Sequence, residues 1–117
     1  MKEPKLTRLR NLAIARTGWR LKAPYTYSSY INIGAMRSKG TPADLSDEDI
    51  AAIADGPQAP HWQAPERALD RLALTAADEL HVNACVSDET WAGLSKELSE
   101  TERVDLTAAI GHYTLNS

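Results

Sequence analysis

The sequence predicts an all-α fold, and three of its features lead to that prediction. Apolar residues recur at intervals of three and four along most of the 117-residue chain, whereas the strict alternation typical of strands is nearly absent. Residues that cap helix N-termini precede several of these apolar runs. Glycine or proline follows several of them, at positions where helices commonly end. We therefore expect about six helices in one domain that spans residues 1–117.

The first two predicted helices cover residues 5–21 and 25–39. The first has an apolar stripe at 3-4 spacing, formed by Leu6, Leu9, Ala13 and Ile14. Its arginines, Arg8 and Arg16, fall outside that stripe. Pro24 suits the first turn of the second helix, and Gly40 suits its end. The link between the two helices is short, so we expect them to pack as an antiparallel pair at the centre of the fold.

The four later helices are predicted mainly from their N-terminal signals. They begin near residues 46, 65, 87 and 99, and the last runs to about residue 113. Ser46 with Asp49, and Ser99 with Glu102, have the three-residue spacing of a capping box. The helix over 65–83 has the most regular apolar stripe, and its acidic residues lie off that stripe. Between the third and fourth helices, a loop with two prolines is expected to be anchored by Trp62.

Composition and charge exclude several classes of protein. The chain is 43% hydrophobic and 25% charged, which is ordinary for a globular domain. With a net charge of −3 and no large basic face, it is not expected to bind nucleic acid. No apolar run is long enough to span a membrane, and the N-terminus lacks a secretory apolar core. The single cysteine, Cys85, cannot form an internal disulfide, which favours a cytoplasmic setting.

Several segments together resemble the carboxymuconolactone decarboxylase-like family, which is related to the alkylhydroperoxidases. In chain order they are RLRNLAIARTGWR, APYTYSSY, DLSDEDIAAIADGP, ALDRLALTAADELH, VSDETWAGL and IGHYT. They cover almost the whole chain in the family's order. The resemblance implies an alkylhydroperoxidase-like helical domain, in which the first two helices carry the active site.

The resemblance also implies that the family's proton-carrying residues have been replaced. The glutamate of the family's first helix falls on Asn11, the glutamate of its second helix on Thr26, and the histidine four residues later on Tyr30. In the hydroperoxidase branch, a C-x-x-C pair would fall on Ala23 and Thr26. Asn and Thr do not exchange protons near neutral pH, and a tyrosine has an ordinary pKa of about 10. Thiol peroxidase chemistry is therefore not expected.

Thr26 and Tyr30 are separated by four residues, so they share one face of the second predicted helix. We take Tyr30, Thr26 and Asn11 as the candidate catalytic residues, with the Tyr30 hydroxyl as donor. Further candidates for substrate binding are the aromatic residues and one histidine near these helices or in the last helix: Trp19, Tyr25, Tyr27 and His112. Core and subunit packing is the more common role for such aromatic rings, which are the main large fillers in a chain without Phe.

No metal site or cofactor is expected. His81 and His112 have no partner at ligand spacing such as H-E-x-x-H. His61 lies in the proline-rich loop, where it is expected to be exposed or to form part of a lid. Cys85 is expected to be a small packed residue near a helix end.

Two hypotheses about function remain open from the sequence. The first is a cofactor-free, lyase- or isomerase-like enzyme, or a binding protein, for a small lactone, carboxylate or aromatic molecule. The second is a non-catalytic helical subunit, or pseudoenzyme, that has lost the proton-transfer residues.

Family members carry additional helical residues at both ends, so we expect uncovered apolar surface here. We therefore expect a homo-oligomer built from dimers.

Overall fold

The fold is all-α in the part of the chain that the structure describes. The computed structural model describes the backbone of residues 4–22 and 45–115 and the side chains of residues 6–20 and 45–112. These residues contain no strand. They form five α-helices, α1 (Pro4–Lys22), α2 (Asp47–Asp55), α3 (Ala68–Asn83), α4 (Asp88–Ser95) and α5 (Glu100–Leu115), and two 3₁₀ helices, Pro60–Trp62 and Pro65–Arg67. The predicted helix over 25–39 and its antiparallel packing lie outside the described residues.

Helix α1 is the central element, and it packs on α3, α5 and α2. Its buried residues contribute to two separate hydrophobic cores. The main core lies between α1, α3, α4 and α5 and consists of Leu9, Ala13, Ala73, Ala76, Ala77, Leu94, Leu98, Leu106 and Ile110. The side core lies between α1, α3 and the segment around α2 and consists of Leu12, Leu45, Ile50, Ala52, Ile53, Ala59, Trp62 and Leu74.

The N-termini of α2 and α5 form as the sequence predicts. The Ser46 hydroxyl accepts a hydrogen bond from the Asp49 N–H at 3.0 Å, and the Asp49 carboxylate accepts one from the Ser46 N–H at 3.2 Å. Ser99 and Glu102 make the same reciprocal pair at the start of α5, at 3.1 and 2.8 Å. These two capping boxes satisfy backbone donors that the first helical turn leaves without intrahelical partners. The predicted starts near residues 46 and 99 are therefore confirmed.

The turn between α3 and α4 is held by a single carboxylate. Glu79 accepts hydrogen bonds from the Ser87 N–H at 2.9 Å, from the Ser87 hydroxyl at 3.0 Å and from the Thr90 hydroxyl at 3.0 Å.

The chain leaves α3 through Ala84, which adopts a left-handed conformation with φ of 63°. Cys85 follows it and is exposed, so the prediction of a packed cysteine is wrong. The reason is that residues 81–85 are all exposed at this end of α3.

Several charged side chains are more buried than the sequence suggests. Arg16, which falls outside the apolar stripe of α1, is only 7% exposed, and Asp49 and Asp70 are also buried. The physical reason is ion pairing, because a buried charge is tolerated when an opposite charge and hydrogen bonds replace its water.

The described surface is poor in exposed apolar side chains. Among the described residues, only two large hydrophobic side chains are exposed, Val82 at 63% and Val104 at 52%. The uncovered apolar surface expected from the sequence is thus not seen in this part of the chain, and the oligomer stays a prediction. No helix in the described ranges has the length and hydropathy that a bilayer crossing requires.

Candidate functional site on helix α1

Asn11 lies on the side of α1 that the core does not bury. Thr7 is exposed, and Asn11, Ile14 and Gly18 are half-buried. These positions recur at intervals of four, three and four, so they share one face of the helix. The opposite side of α1 carries Leu9, which is fully buried in the main core. Asn11 is therefore a half-buried residue on the side of α1 that faces away from the main core.

The structure tests only part of the predicted site. Trp19 is half-buried on α1, two helical turns beyond Asn11 and about 80° around the helix from it. His112 is exposed on α5. The remaining predicted site residues lie outside the described part of the chain, namely Tyr25, Thr26, Tyr27 and Tyr30. Whether Asn11 faces Thr26 and Tyr30 therefore stays a prediction.

Near the start of α1, Arg8 is the centre of an ion cluster. Its guanidinium donates to Asp70 of α3, with Nη2 at 3.1 Å from Oδ2 and Nε at 3.3 Å from the same oxygen. Nη2 also lies 3.2 Å from Oδ2 of Asp49 in α2. The other oxygen of Asp49 lies 2.7 Å from Nε2 of His61. We call Arg8, Asp49, Asp70 and His61 the first ion cluster.

The first ion cluster changes the proton affinity of two of its members. Burial by itself acts to raise the pKa of Asp49, because it disfavours the charged carboxylate. Hydrogen bonds from His61, the Ser46 N–H and Arg8, and the charge of Arg8, outweigh burial and hold that pKa below its usual value. Burial acts to lower the pKa of Arg8, but Asp70 and Asp49 raise it above its ordinary value. Both groups are thus kept charged.

Two turns further along α1, Arg16 makes a second set of bonds. Its Nε donates to Oδ1 of Asp78 at 2.7 Å and its Nη2 to Oδ2 at 3.3 Å, which is a bidentate pair. Its Nη1 donates to the carbonyls of Ile53 at 2.7 Å and Ala54 at 3.1 Å, near the C-terminus of α2. Arg20 lies 3.4 Å from the same Asp78 carboxylate. We call Arg16, Arg20 and Asp78 the second ion cluster.

The two clusters fix how three helices lie relative to one another. Arg8 pairs with Asp70 and Arg16 with Asp78, and both pairs span 62 positions. Helices α1 and α3 therefore run in the same direction, with the two pairs about 12 Å apart along the axis. Helix α2 is held near its start by Arg8 and near its end by Arg16.

Sequence reasoning missed these clusters, although a signal for them is present. Arg8 and Arg16 are eight residues apart, and so are Asp70 and Asp78. Leu12 lies midway between the two arginines and Leu74 midway between the two aspartates, and both leucines belong to the side core. Residues four apart share one helix face, so an Arg-Leu-Arg pattern on one helix can meet an Asp-Leu-Asp pattern on a parallel helix in register. The sequence does not show which acidic residues face which arginines.

The described part of α1 offers little acid–base chemistry near Asn11. Residues 6–20 contain no Asp, Glu, His or Cys, and their titratable side chains are all arginines. Arginine stays protonated at any ordinary pH, so it is a poor proton carrier. In the described ranges, no group of three or more His, Cys, Asp or Glu side chains is arranged to hold a metal ion. What this face provides chemically is the neutral amide of Asn11 and the hydroxyl of Thr7.

We compared the chain with known protein families, curated proteins and solved structures. No protein-family model matches the chain, and neither curated proteins nor solved structures yield a match.

Proposed function

We propose that this chain is a divergent, non-catalytic member of the carboxymuconolactone decarboxylase-like family, which has kept a helical scaffold and lost proton-transfer chemistry. The observation that carries the proposal is the composition of α1 around Asn11. The described side chains of this helix include no group that titrates near neutral pH, and an amide occupies the position where the resemblance places a glutamate. An amide can orient a ligand by hydrogen bonding, but it cannot donate and recover a proton as a carboxyl group does.

The use of charge in the rest of the scaffold supports the same proposal. Arg8 and Arg16 have their guanidinium groups bound to carboxylates of α2 and α3. Ion pairs of this kind serve to hold helices in register. A cofactor-free lyase or isomerase instead needs an acid or base that is free to exchange a proton with its substrate. In this proposal, the charged groups of α1 maintain the structure of the subunit.

The proposal includes self-assembly in the cytoplasm as a homo-oligomer built from dimers. It is supported by the family resemblance and by the single cysteine, not by exposed apolar area in the described part of the chain. Multi-angle light scattering of the full chain at micromolar concentration tests the assembly. We expect a mass that is an even multiple of 12.8 kDa. A monomer over the whole concentration range would remove this part of the proposal and leave the non-catalytic part in place.

Thiol peroxidase activity is excluded from the proposal for a chemical reason. Reduction of a hydroperoxide by a thiol pair requires a second cysteine, and the chain has only Cys85. Cys85 is exposed beside the turn that follows α3. We expect no turnover of an organic hydroperoxide by the full chain. Turnover that the Cys85→Ser variant abolishes would contradict this.

A second candidate function is the binding or conversion of a small organic molecule at the predicted site. The partial exposure of Asn11 favours it, because a half-buried amide on a rigid helix can reach a ligand. In this version Tyr30 donates its hydroxyl, and Thr26 and Asn11 orient a lactone, carboxylate or aromatic molecule. The aromatic residues Trp19, Tyr25 and Tyr27 would line the site.

The Tyr30→Phe variant tests this second candidate, because it removes one hydroxyl and keeps the ring. Ligands found by a thermal-shift screen of the full chain would be titrated against the original protein and the variant, with helicity checked by circular dichroism. If the hydroxyl serves the ligand, we expect the dissociation constant to rise about tenfold or more, in line with the loss of one hydrogen bond and an unpaired partner. Unchanged affinity for every ligand would rule out a site at Tyr30.

A further inference from the structure

The segment 45–67 is tied together internally by its own side chains. It contains α2, the loop that follows α2, and the two 3₁₀ helices. His61 binds Asp49 at 2.7 Å, and the indole N–H of Trp62 donates to the carbonyl of Ala52 at 3.1 Å. These two bonds join the loop back onto α2. We call residues 45–67 the strap, because the segment is bonded to itself and packs across α1 and α3.

The strap has its own apolar core, which shares no buried residue with the main core. Six of the eight buried residues of the side core come from the strap. The other two are Leu12 of α1 and Leu74 of α3. The main core is built only from α1 and from residues beyond the strap. Removal of the strap would therefore leave the main core intact.

Two arginines of α1 provide the polar links between the strap and the helices beneath it. Arg8 binds Asp49 near the start of α2, and Arg16 binds the carbonyls of Ile53 and Ala54 near its end. Each arginine also has a carboxylate partner on α3, Asp70 or Asp78. If the strap moved away, both guanidinium groups would keep an anionic partner. The electrostatic free energy lost when the strap opens is therefore smaller than it would be for an arginine that pairs with the strap alone.

We propose that the strap opens as a single unit while α1, α3, α4 and α5 remain packed. Proteins open in contiguous cooperative units, and a segment with its own internal bonds and its own core is such a unit. A helix of nine residues has little stability by itself, so α2 would not be expected to persist once detached. Opening uncovers Leu12, between Arg8 and Arg16 on α1, and Leu74, between Asp70 and Asp78 on α3. This inference does not depend on the proposed function.

Native-state hydrogen exchange of the full chain tests the proposal with two matched substitutions. Ile53→Val removes one methyl group from the side core, and Ile110→Val removes one from the main core. Both isoleucines are fully buried, so the chemical change is the same. If the strap opens independently, Ile110→Val destabilises the closed and the strap-open states equally. Exchange of the α2 amides then stays unchanged, while exchange of the most protected α3 and α5 amides accelerates about fivefold.

Ile53→Val provides the complementary result. It destabilises the closed state relative to both the strap-open and the fully unfolded states. We therefore expect the α2 amides and the most protected α3 and α5 amides to exchange faster by the same factor of about five. Acceleration of the α2 amides by Ile110→Val to the same extent as the α3 and α5 amides would overturn the proposal. So would α2 amides that do not respond to Ile53→Val, because they would be exchanging by local fraying.

Discussion

Arg16 joins three helices through one guanidinium group. It is bound to Asp78 of α3 by two hydrogen bonds and to two carbonyls of α2, and it is almost fully buried. A buried charge of this kind stabilises the fold only because every partner is present. Removal of the arginine would take two hydrogen bonds from the Asp78 carboxylate and one from each of two helix carbonyls. The destabilisation caused by removing a charged residue therefore depends on the hydrogen bonds and ion pairs that its neighbours lose.

Substitution of Arg16 by methionine should destabilise the protein by about 3–5 kcal/mol, the range observed when one partner of a buried ion pair is removed. Methionine keeps most of the aliphatic volume, so the loss reports the polar bonds. Arg20→Met is the matched control. Arg20 contacts the same Asp78 carboxylate at 3.4 Å, but its side chain is 30% exposed. We expect the control to cost less than about 1 kcal/mol. Urea unfolding monitored by circular dichroism measures both, and equal losses would contradict the account.

Asp49 should make the protein sensitive to acid. Its pKa lies below its usual value in the folded protein, so the carboxylate contributes stability above the unfolded pKa of about 3.9. That contribution is lost as the pH falls through the lower, folded-state pKa. The free energy of unfolding should therefore decrease with acidification below pH about 4, and the decrease should be smaller in Asp49→Asn. Urea unfolding at a series of pH values measures this, and identical acid profiles for the two proteins would disprove it.

At the scale of elements, most helix positions follow from local sequence. The predicted helix over 5–21 is found as Pro4–Lys22, and the capping boxes at Ser46 and Ser99 start helices where expected. These features depend on residues within one or two turns of each other, so a single sequence contains them. The helix predicted from Pro65 begins instead with a 3₁₀ turn, Pro65–Arg67, and becomes α-helical at Ala68.

Contacts between distant segments were predicted less well. The matched spacing of Arg8 with Arg16 and of Asp70 with Asp78 does not by itself identify which charges meet, and the contact of His61 with Asp49 depends on the packing of separate segments. The same holds for the candidate site. Asn11 and Trp19 could be placed on one helix from spacing, whereas the arrangement of Asn11 with Thr26 and Tyr30 depends on a second helix that lies outside the described residues. Helical spacing places Arg16 and Asp70 off the apolar stripes, but it does not show that ion pairing between helices buries them.

The end of α2 offers a test of local backbone geometry. Gly56 has a φ of 98°, and a Cβ atom there would lie 3.0 Å from the Gln58 side chain and 3.3 Å from Nη2 of Arg16. Gly56→Ala should therefore destabilise the protein by more than about 1 kcal/mol. Gly111→Ala in α5 is the matched control, since its Cβ would meet nothing within 4 Å. Alanine favours the helix there by about 0.5–1 kcal/mol. Thermal unfolding should show a lower midpoint for the first variant and a higher one for the second.

For the whole molecule, the structure divides into a main core and a strap with its own core. The main core unites α1, α3, α4 and α5. The side core joins the strap to Leu12 and Leu74. Helix α1 contributes to both cores and carries Asn11 on its remaining side. The described side chains of α1 include no group that titrates near neutral pH, and its charged groups pair with α2 and α3.

The measurement that tests this account most directly is a turnover assay of the full chain with a carboxylated lactone at neutral pH. The quantity measured is the rate of carbon dioxide release. The account predicts a rate equal to that of the buffer alone, because no residue of the described α1 side chains can carry the proton and the resemblance places Asn11, Thr26 and Tyr30 where the family has its acids and bases. Carbon dioxide release that rises in proportion to protein concentration, and that is lost in the Tyr30→Phe variant, would contradict it.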